Sequence, residues 1–123
     1  MTKGYKAFDV VYVDFGDIEF SGEQGGKRPA LIVQNDKGNK FSPTTIVLPF
    51  TTELKSEYLP THTLFTPDEY NGLHEKSMLL GECIRQISEK RIIKKIGSIE
   101  NMVDRIRIKK VYQANFAWNG LEG

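Results

Sequence analysis

Apolar and β-branched residues along the chain gather in short runs separated by polar turns, and the runs set the element order. Phe8 to Phe15 mixes alternation with Val and aromatic residues and ends at Gly16-Asp17, which predicts a first strand. Pro29 to Val33 predicts a second, with proline at its first position where a missing donor is tolerated, and Asp36-Lys37-Gly38-Asn39 predicts a turn. Thr44 to Thr52 predicts a third, and Pro49 within it argues for an edge or a bulge. Leu59 to Phe65 predicts a fourth strand, and Ser77 to Ile87 a fifth and longer one bent at Gly81. Ser88 to Arg91 reads as a turn or short helical piece, and Ile92 to Ile96 as a strand ending at Gly97. Several short strands at close spacing favour a small barrel.

At the C-terminus the period changes. Ser98 is a natural N-cap, and Ile99, Met102, Val103 and Ile106 recur at helical spacing, which predicts a helix from there. Ile108, Val111, Tyr112, Phe116 and Trp118 fall off that stripe. A helix apolar on more than one side needs more than one partner, so the expectation is a deep dock on the barrel or a subunit contact. The fold class predicted is mainly β (α+β), a barrel followed by a C-terminal α-helix, in a single domain over residues 1–123.

Composition narrows the function classes. A chain of 123 residues needs neither disulfides nor metals to hold its core. Seventeen Lys plus Arg against 16 Asp plus Glu leave a formal charge of +1, so any nucleic-acid footprint has to be local. Cys83 is the one cysteine and stands in an apolar run, which suits an inert thiol in a reducing compartment. His62 and His74 are too few and too scattered for a metal site, and the expectation is no metal and no cofactor. No apolar run reaches the length of a signal sequence or a membrane span, which points to a cytoplasmic protein without a membrane partner.

The chemistry begins at Glu23-Gln24-Gly25-Gly26-Lys27-Arg28-Pro29. Two glycines open backbone angles closed to other residues, and Pro29 biases Arg28 toward an extended conformation at the mouth of a buried strand. A guanidinium so mounted can meet two phosphate oxygens at once. RNA carries its own nucleophile in the 2′-hydroxyl, so its cleavage needs alignment and charge stabilisation rather than a catalytic Ser or Cys. A hydroxyl such as that of Thr51 would add a second donor if it lies beside Arg28.

Glu23-Gln24-Gly25-Gly26-x-Arg28-Pro29, Gln34-Asn35-Asp36-x-Gly38-Asn39, Ser42-Pro43-Thr44, Leu59-Pro60-Thr61-His62 and Ile84-Arg85-x-Ile87 together resemble the MazF/PemK family of toxin endoribonucleases, in order and spacing over about residues 8 to 110. The resemblance implies an SH3-like barrel with a C-terminal helix, a homodimer, metal-independent cleavage of single-stranded RNA at short sequences, and a cognate antitoxin. It places the catalytic arginine on Arg28 and the catalytic threonine on Thr51, with Thr52 as the alternative if the register slips. It places RNA contacts on Glu23, Gln24, Lys27, Leu59, His62, Ser77, Glu82 and Arg85. The general base stays open between His62 and other groups. The chain departs from the pattern at Ser21-Gly22 and at Cys83, surfaces that choose bases, so no relative's cleavage sequence transfers. Two other readings stand beside this one: a gyrase-poisoning toxin of the CcdB family, suggested by Trp118-Asn119-Gly120, and a non-catalytic SH3-like module with Tyr12, Phe15, Tyr58 and Tyr70 lining a groove.

Overall fold

The computed structural model describes residues 4–17, 25–54 and 59–121. Seven strands and two α-helices follow in the order β1 (Asp9–Asp14), β2 (Lys27–Ile32), α1 (Asp36–Phe41), β3 (Thr44–Thr51), β4 (His62–Phe65), β5 (Ser77–Leu80), β6 (Arg85–Ser88), β7 (Ile92–Ser98) and α2 (Met102–Gln113). One-turn 3-10 helices occupy Glu89–Arg91 and Ala114–Phe116. The antiparallel sheet runs β4-β5-β3-β2-β1-β7, with β6 paired to β3. It is the barrel-like sheet with a C-terminal helix that the sequence predicts, left open, since no pairing joins β4 to β7 among the described residues.

Two clusters of apolar side chains explain why the first three strands read so clearly. Val10, Leu31, Leu48 and Phe50 face one way and pack with Ile108 and Val111 of α2; Val11, Ala30, Ile32 and Val47 face the other way and pack with Ile87 and Ile92. Adjacent strand residues point to opposite faces, so a strand buried on both faces is apolar at nearly every position. Burying each of the Val, Leu, Ile and Phe side chains among them is worth about 1.5–3 kcal/mol.

Several sequence expectations are corrected. Pro49 lies in β3, the most connected strand of the sheet, and not on an edge. The bond from Val33 N to Ile46 O makes that pair a hydrogen-bonded one, so by alternation Ala30 and Pro49 form a non-bonded pair and the proline nitrogen points away from β2. On that other side β3 changes partner, from β6 at Val47 to β5 at Phe50, and Pro49 fills the gap where no donor is required. Asp36 to Asn39 is no isolated turn but the start of α1, capped by the Asn35 side chain on Gly38 N. The long fifth strand is two strands, broken at Gly81, where a Cβ would come within 2.6 Å of Thr61 O and 2.9 Å of Val111 O. Cys83 falls in that break and is half-buried. The last strand continues past Gly97 to Ser98.

The C-terminal helix is capped by Asn101, not Ser98, and its phase differs from the predicted stripe. Met102, Val103 and Ile106 are 65%, 66% and 48% exposed. The face turned to the sheet carries Asp104, Arg107, Ile108 and Val111, and Asn115 follows in the 3-10 helix beyond it. Its polar members are anchors: Arg107 bonds Leu64 O at 2.9 Å, Asp104 Oδ1 at 2.8 Å and the Thr63 hydroxyl, and lies over the Phe65 ring. Periodicity of apolar residues cannot report a face held by an arginine and an amide.

Candidate active site

The β2–β3 register, continued past its last paired residues, puts Arg28 across from Thr51. The β2–β3 pairs are Ile32 with Val47, Leu31 with Leu48 and Ala30 with Pro49. Two residues further the same count sets Arg28 opposite Thr51, on the face shared by Ala30 and Ile32. That position is again non-bonded, where ideal geometry brings Cα atoms to about 4.5 Å and side chains closest together. The paired ladder stops at Ala30 for a reason in the sequence. Phe15 N bonds Gly26 O, so alternation along β1 turns the Pro29 nitrogen toward β3, where it has no hydrogen to give. Proline thus frees the strand ends from the ladder where Arg28 and Thr51 stand.

Each side chain is held locally. The Arg28 Nε donates to Gly25 O at 3.0 Å, and the chain reaches β2 through Gly26 at φ 72°, a backbone conformation that suits glycine. Thr51 is buried, and its Oγ1 accepts from Glu53 N at 3.1 Å as the chain leaves β3. Because the oxygen is engaged as an acceptor, the hydroxyl proton stays available to donate outward. Arg85 belongs to the same face: it pairs with Val47, and its guanidinium lies 5.3 Å from the centre of the buried Phe15 ring. Sequence reasoning missed Phe15 as a support for this arginine; the signal was an aromatic residue directly before the glycine that ends β1.

The remaining predicted residues spread around this centre. Lys27 is exposed on the opposite face of β2, opposite Asp14. Ser77 is buried in β5 and its hydroxyl donates to Glu75 O, on the face away from Thr51; continuing the Thr51–Met78 register sets it opposite Thr52. Leu59 is exposed just before β4, and its carbonyl accepts from His62 N at 3.0 Å. His62 and Glu82 are brought into contact with each other, Nε2 to Oε2, at 2.8 Å. Asn115, to which the sequence suggested no role, donates its amide to Gly81 O at 2.7 Å and ties the 3-10 helix after α2 to the turn that carries Glu82. Glu23 and Gln24 lie outside the described residues. Among the described residues no group of three or more His, Cys, Asp or Glu is placed to hold a metal ion, and no helix is long and apolar enough to cross a membrane.

A family model described as the PemK-like, MazF-like toxin of type II toxin-antitoxin systems matches residues 6–114. The chain belongs to the PemK/MazF-like toxin family. Endoribonuclease EndoA of Bacillus subtilis (strain 168) is 40% identical over 102 residues, which are 82% of this chain and 86% of that protein. Among solved structures, an endoribonuclease in complex with its cognate antitoxin from a mycobacterial species superposes with a TM-score of 0.75 at 18% identity, covering 98% of this chain and 99% of that one. MazF from Deinococcus radiodurans gives 0.72 at 18% identity over 93% and 97% of the two chains. At such identities the structures speak for the fold. The PemK/MazF match takes in Arg28, Thr51, His62, Glu82 and Arg85, and it sets aside both the gyrase poison and the non-catalytic module.

Proposed function

We propose that this PemK/MazF-like chain is a toxin endoribonuclease that cleaves single-stranded RNA through the substrate's own 2′-hydroxyl. The observation that supports the mechanism is the β2–β3 register, which, continued two residues beyond Ala30–Pro49, puts Arg28 across from Thr51. The guanidinium neutralises the scissile phosphate and the threonine hydroxyl donates a second hydrogen bond, both toward charge that grows as the 2′-oxygen bonds to phosphorus. The P–O5′ bond breaks and the proton given up by the 2′-hydroxyl balances the one taken up by the 5′-oxygen, leaving a 2′,3′-cyclic phosphate on one product and a 5′-hydroxyl on the other. Arg85, presented from the Phe15 ring, adds phosphate affinity at the same end, and Glu23, Gln24, Lys27, Leu59 and Glu82 supply contacts along the strand. No metal is required by this scheme, because positioned donors do the electrostatic work.

A cognate antitoxin neutralises the enzyme in the cytoplasm, and the active form is a homodimer. What supports the dimer is a groove of about 390 Å³ along α2, where the exposed Met102 and Ile106 stand with Phe8, Val33 and Tyr112 over the buried Ile108, flanked by Arg105 and Lys109. Such a face is costly to leave in water. The test is incubation of the purified protein with a long RNA in EDTA, followed by sequencing of the ends. Cleavage at a short recurring sequence with cyclic phosphate ends is the expected result; dependence on added metal would overturn the mechanism.

A further inference from the structure

His62 and Glu82 form a pair whose two members have unequal surroundings. The His62 side chain is 2% exposed, and that of Glu82 is 41% exposed. A carboxylate only accepts, so the imidazole Nε2–H donates to Oε2 across 2.8 Å. His62 is fixed in turn, by its amide on Leu59 O and by its place opposite Leu80 in β5. The turn bearing Glu82 is fixed on its other side, where Gly81 N bonds Thr61 O at 2.8 Å and Gly81 O accepts from Asn115. The second carboxylate oxygen, Oε1, carries no hydrogen bond among the described residues. A buried, immobile donor therefore holds one oxygen of an accessible carboxylate and leaves the other to a ligand.

The pair is not beside the reacting phosphate. Thr51 faces Met78, which faces Leu64, while His62 faces Leu80. Two strand spacings and one dipeptide separate the His62 and Thr51 positions, about 12 Å in a regular sheet. That is beyond reach for a proton acceptor acting on a nucleophile aligned by Arg28 and Thr51. It is the distance at which a neighbouring nucleotide of the same strand lies.

We infer that His62 is a positioning residue: it pins the Glu82 carboxylate so that Oε1 reads the Watson–Crick edge of one base near the scissile bond, and that this base is adenine or cytosine. This rests on the endoribonuclease reading above. A single fixed acceptor matches one exocyclic amino group flanked by a ring acceptor, which adenine and cytosine present. Guanine offers two parallel N–H groups that call for both oxygens, and uracil flanks its one N–H with carbonyls that repel a carboxylate. A contact of this kind gives about five- to a hundredfold discrimination.

The test measures kcat and KM on short RNAs that differ only at each position around the mapped cut, for wild type, His62→Leu, His62→Gln, His62→Asn, Glu82→Gln and the double variant His62→Leu/Glu82→Gln. At one position wild type prefers adenine or cytosine. His62→Leu loses about tenfold of that preference, with the loss falling on KM. His62→Gln, whose amide nitrogen reaches the place of Nε2, restores it, while His62→Asn is too short and does not; this contrast decides the matter if the leucine variant fails to fold. The double variant discriminates no worse than Glu82→Gln alone. If His62→Leu keeps the wild-type preference, or lowers kcat equally on every sequence, or if glutamine and asparagine behave alike, the inference is overturned alone. A wild-type protein that cuts no RNA overturns the endoribonuclease reading and this inference with it.

Discussion

Replacing Arg28 by lysine keeps a positive charge at the strand end and removes the planar fork. In the structure the guanidinium is oriented through its Nε, bonded to Gly25 O at 3.0 Å. Lysine has a methylene there, which cannot donate to Gly25 O, and its ammonium sits as a mobile point charge on a flexible stem. Loss of one donor aimed at developing phosphoryl charge costs about 2.7–4 kcal/mol, a hundred- to a thousandfold in rate. The retained charge places Arg28→Lys at the lower end, about a hundredfold slower, and Arg28→Ala at or beyond the upper end. Thr51→Val keeps the β-branched shape in a buried position and deletes a charge-assisted hydrogen bond worth about 1.5–3 kcal/mol, ten- to a hundredfold. In the proposed mechanism the two side chains act on one phosphate, so Arg28→Lys/Thr51→Val is expected to fall short of the product of the single losses by about tenfold or more.

The assay is single-turnover cleavage of a short RNA at its mapped site with enzyme in excess, which isolates the chemical step. Thermal melting runs alongside. Thr51→Val also loses the bond to Glu53 N, about 1 kcal/mol, and in a chain of 123 residues that lowers Tm by about 4 °C. Arg28→Lys within threefold of wild type would refute the clamp. So would a double variant whose loss is simply the product of the singles, since two groups that do not share a phosphate would behave that way.

Three further outcomes follow from packing. Phe50, fully buried between the sheet and α2 with its ring edge-on to Phe65 at 5.8 Å, is expected to cost about 4 kcal/mol on truncation to alanine, a fall in Tm of about 15 °C by calorimetry. Gly81→Ala drives a methyl against two backbone carbonyls, so urea unfolding should show a loss of about 1–3 kcal/mol, accompanied by a raised KM for RNA because the Glu82 turn moves with it. Asn101 caps α2 through Val103 N at 2.8 Å and Asp104 N at 3.2 Å; Asn101→Ala should lose about 1 kcal/mol in the same measurement, and Asn101→Asp should recover most of it.

What the sequence made legible follows the physics of burial. β1, β2 and β3 stand between two apolar clusters, so their composition alone marks them. The break after β5 was hidden because apolar residues continue through the turn, with Cys83 and Ile84 joining one strand to the next. α1 was hidden because Asp-Lys-Gly-Asn is turn chemistry; what makes it helical is tertiary, since Asn39 is buried and its amide meets Gln34 O and the Thr45 hydroxyl. The phase of α2 was misread because the residues that seat it are polar. In each case hydrogen bonds that apolar periodicity does not encode overrode the local pattern.

The site shows the same division. A glycine pair before Arg28 and a proline after it are local signals and were readable as a mount. That Thr51 stands opposite depends on a register set across α1, and that His62 holds Glu82 depends on a contact between residues 20 apart. Sequence reasoning nominated all four residues and paired Arg28 with Thr51, but it did not pair His62 with Glu82. The structure divides them into an arginine and a hydroxyl at an unladdered strand end and, two strands away, a histidine fixing a carboxylate. Under the two proposals, rate falls to the first pair and base choice to the second. Changes at His62 and Glu82 should therefore redirect cleavage among sequences, while changes at Arg28 and Thr51 slow it on all of them.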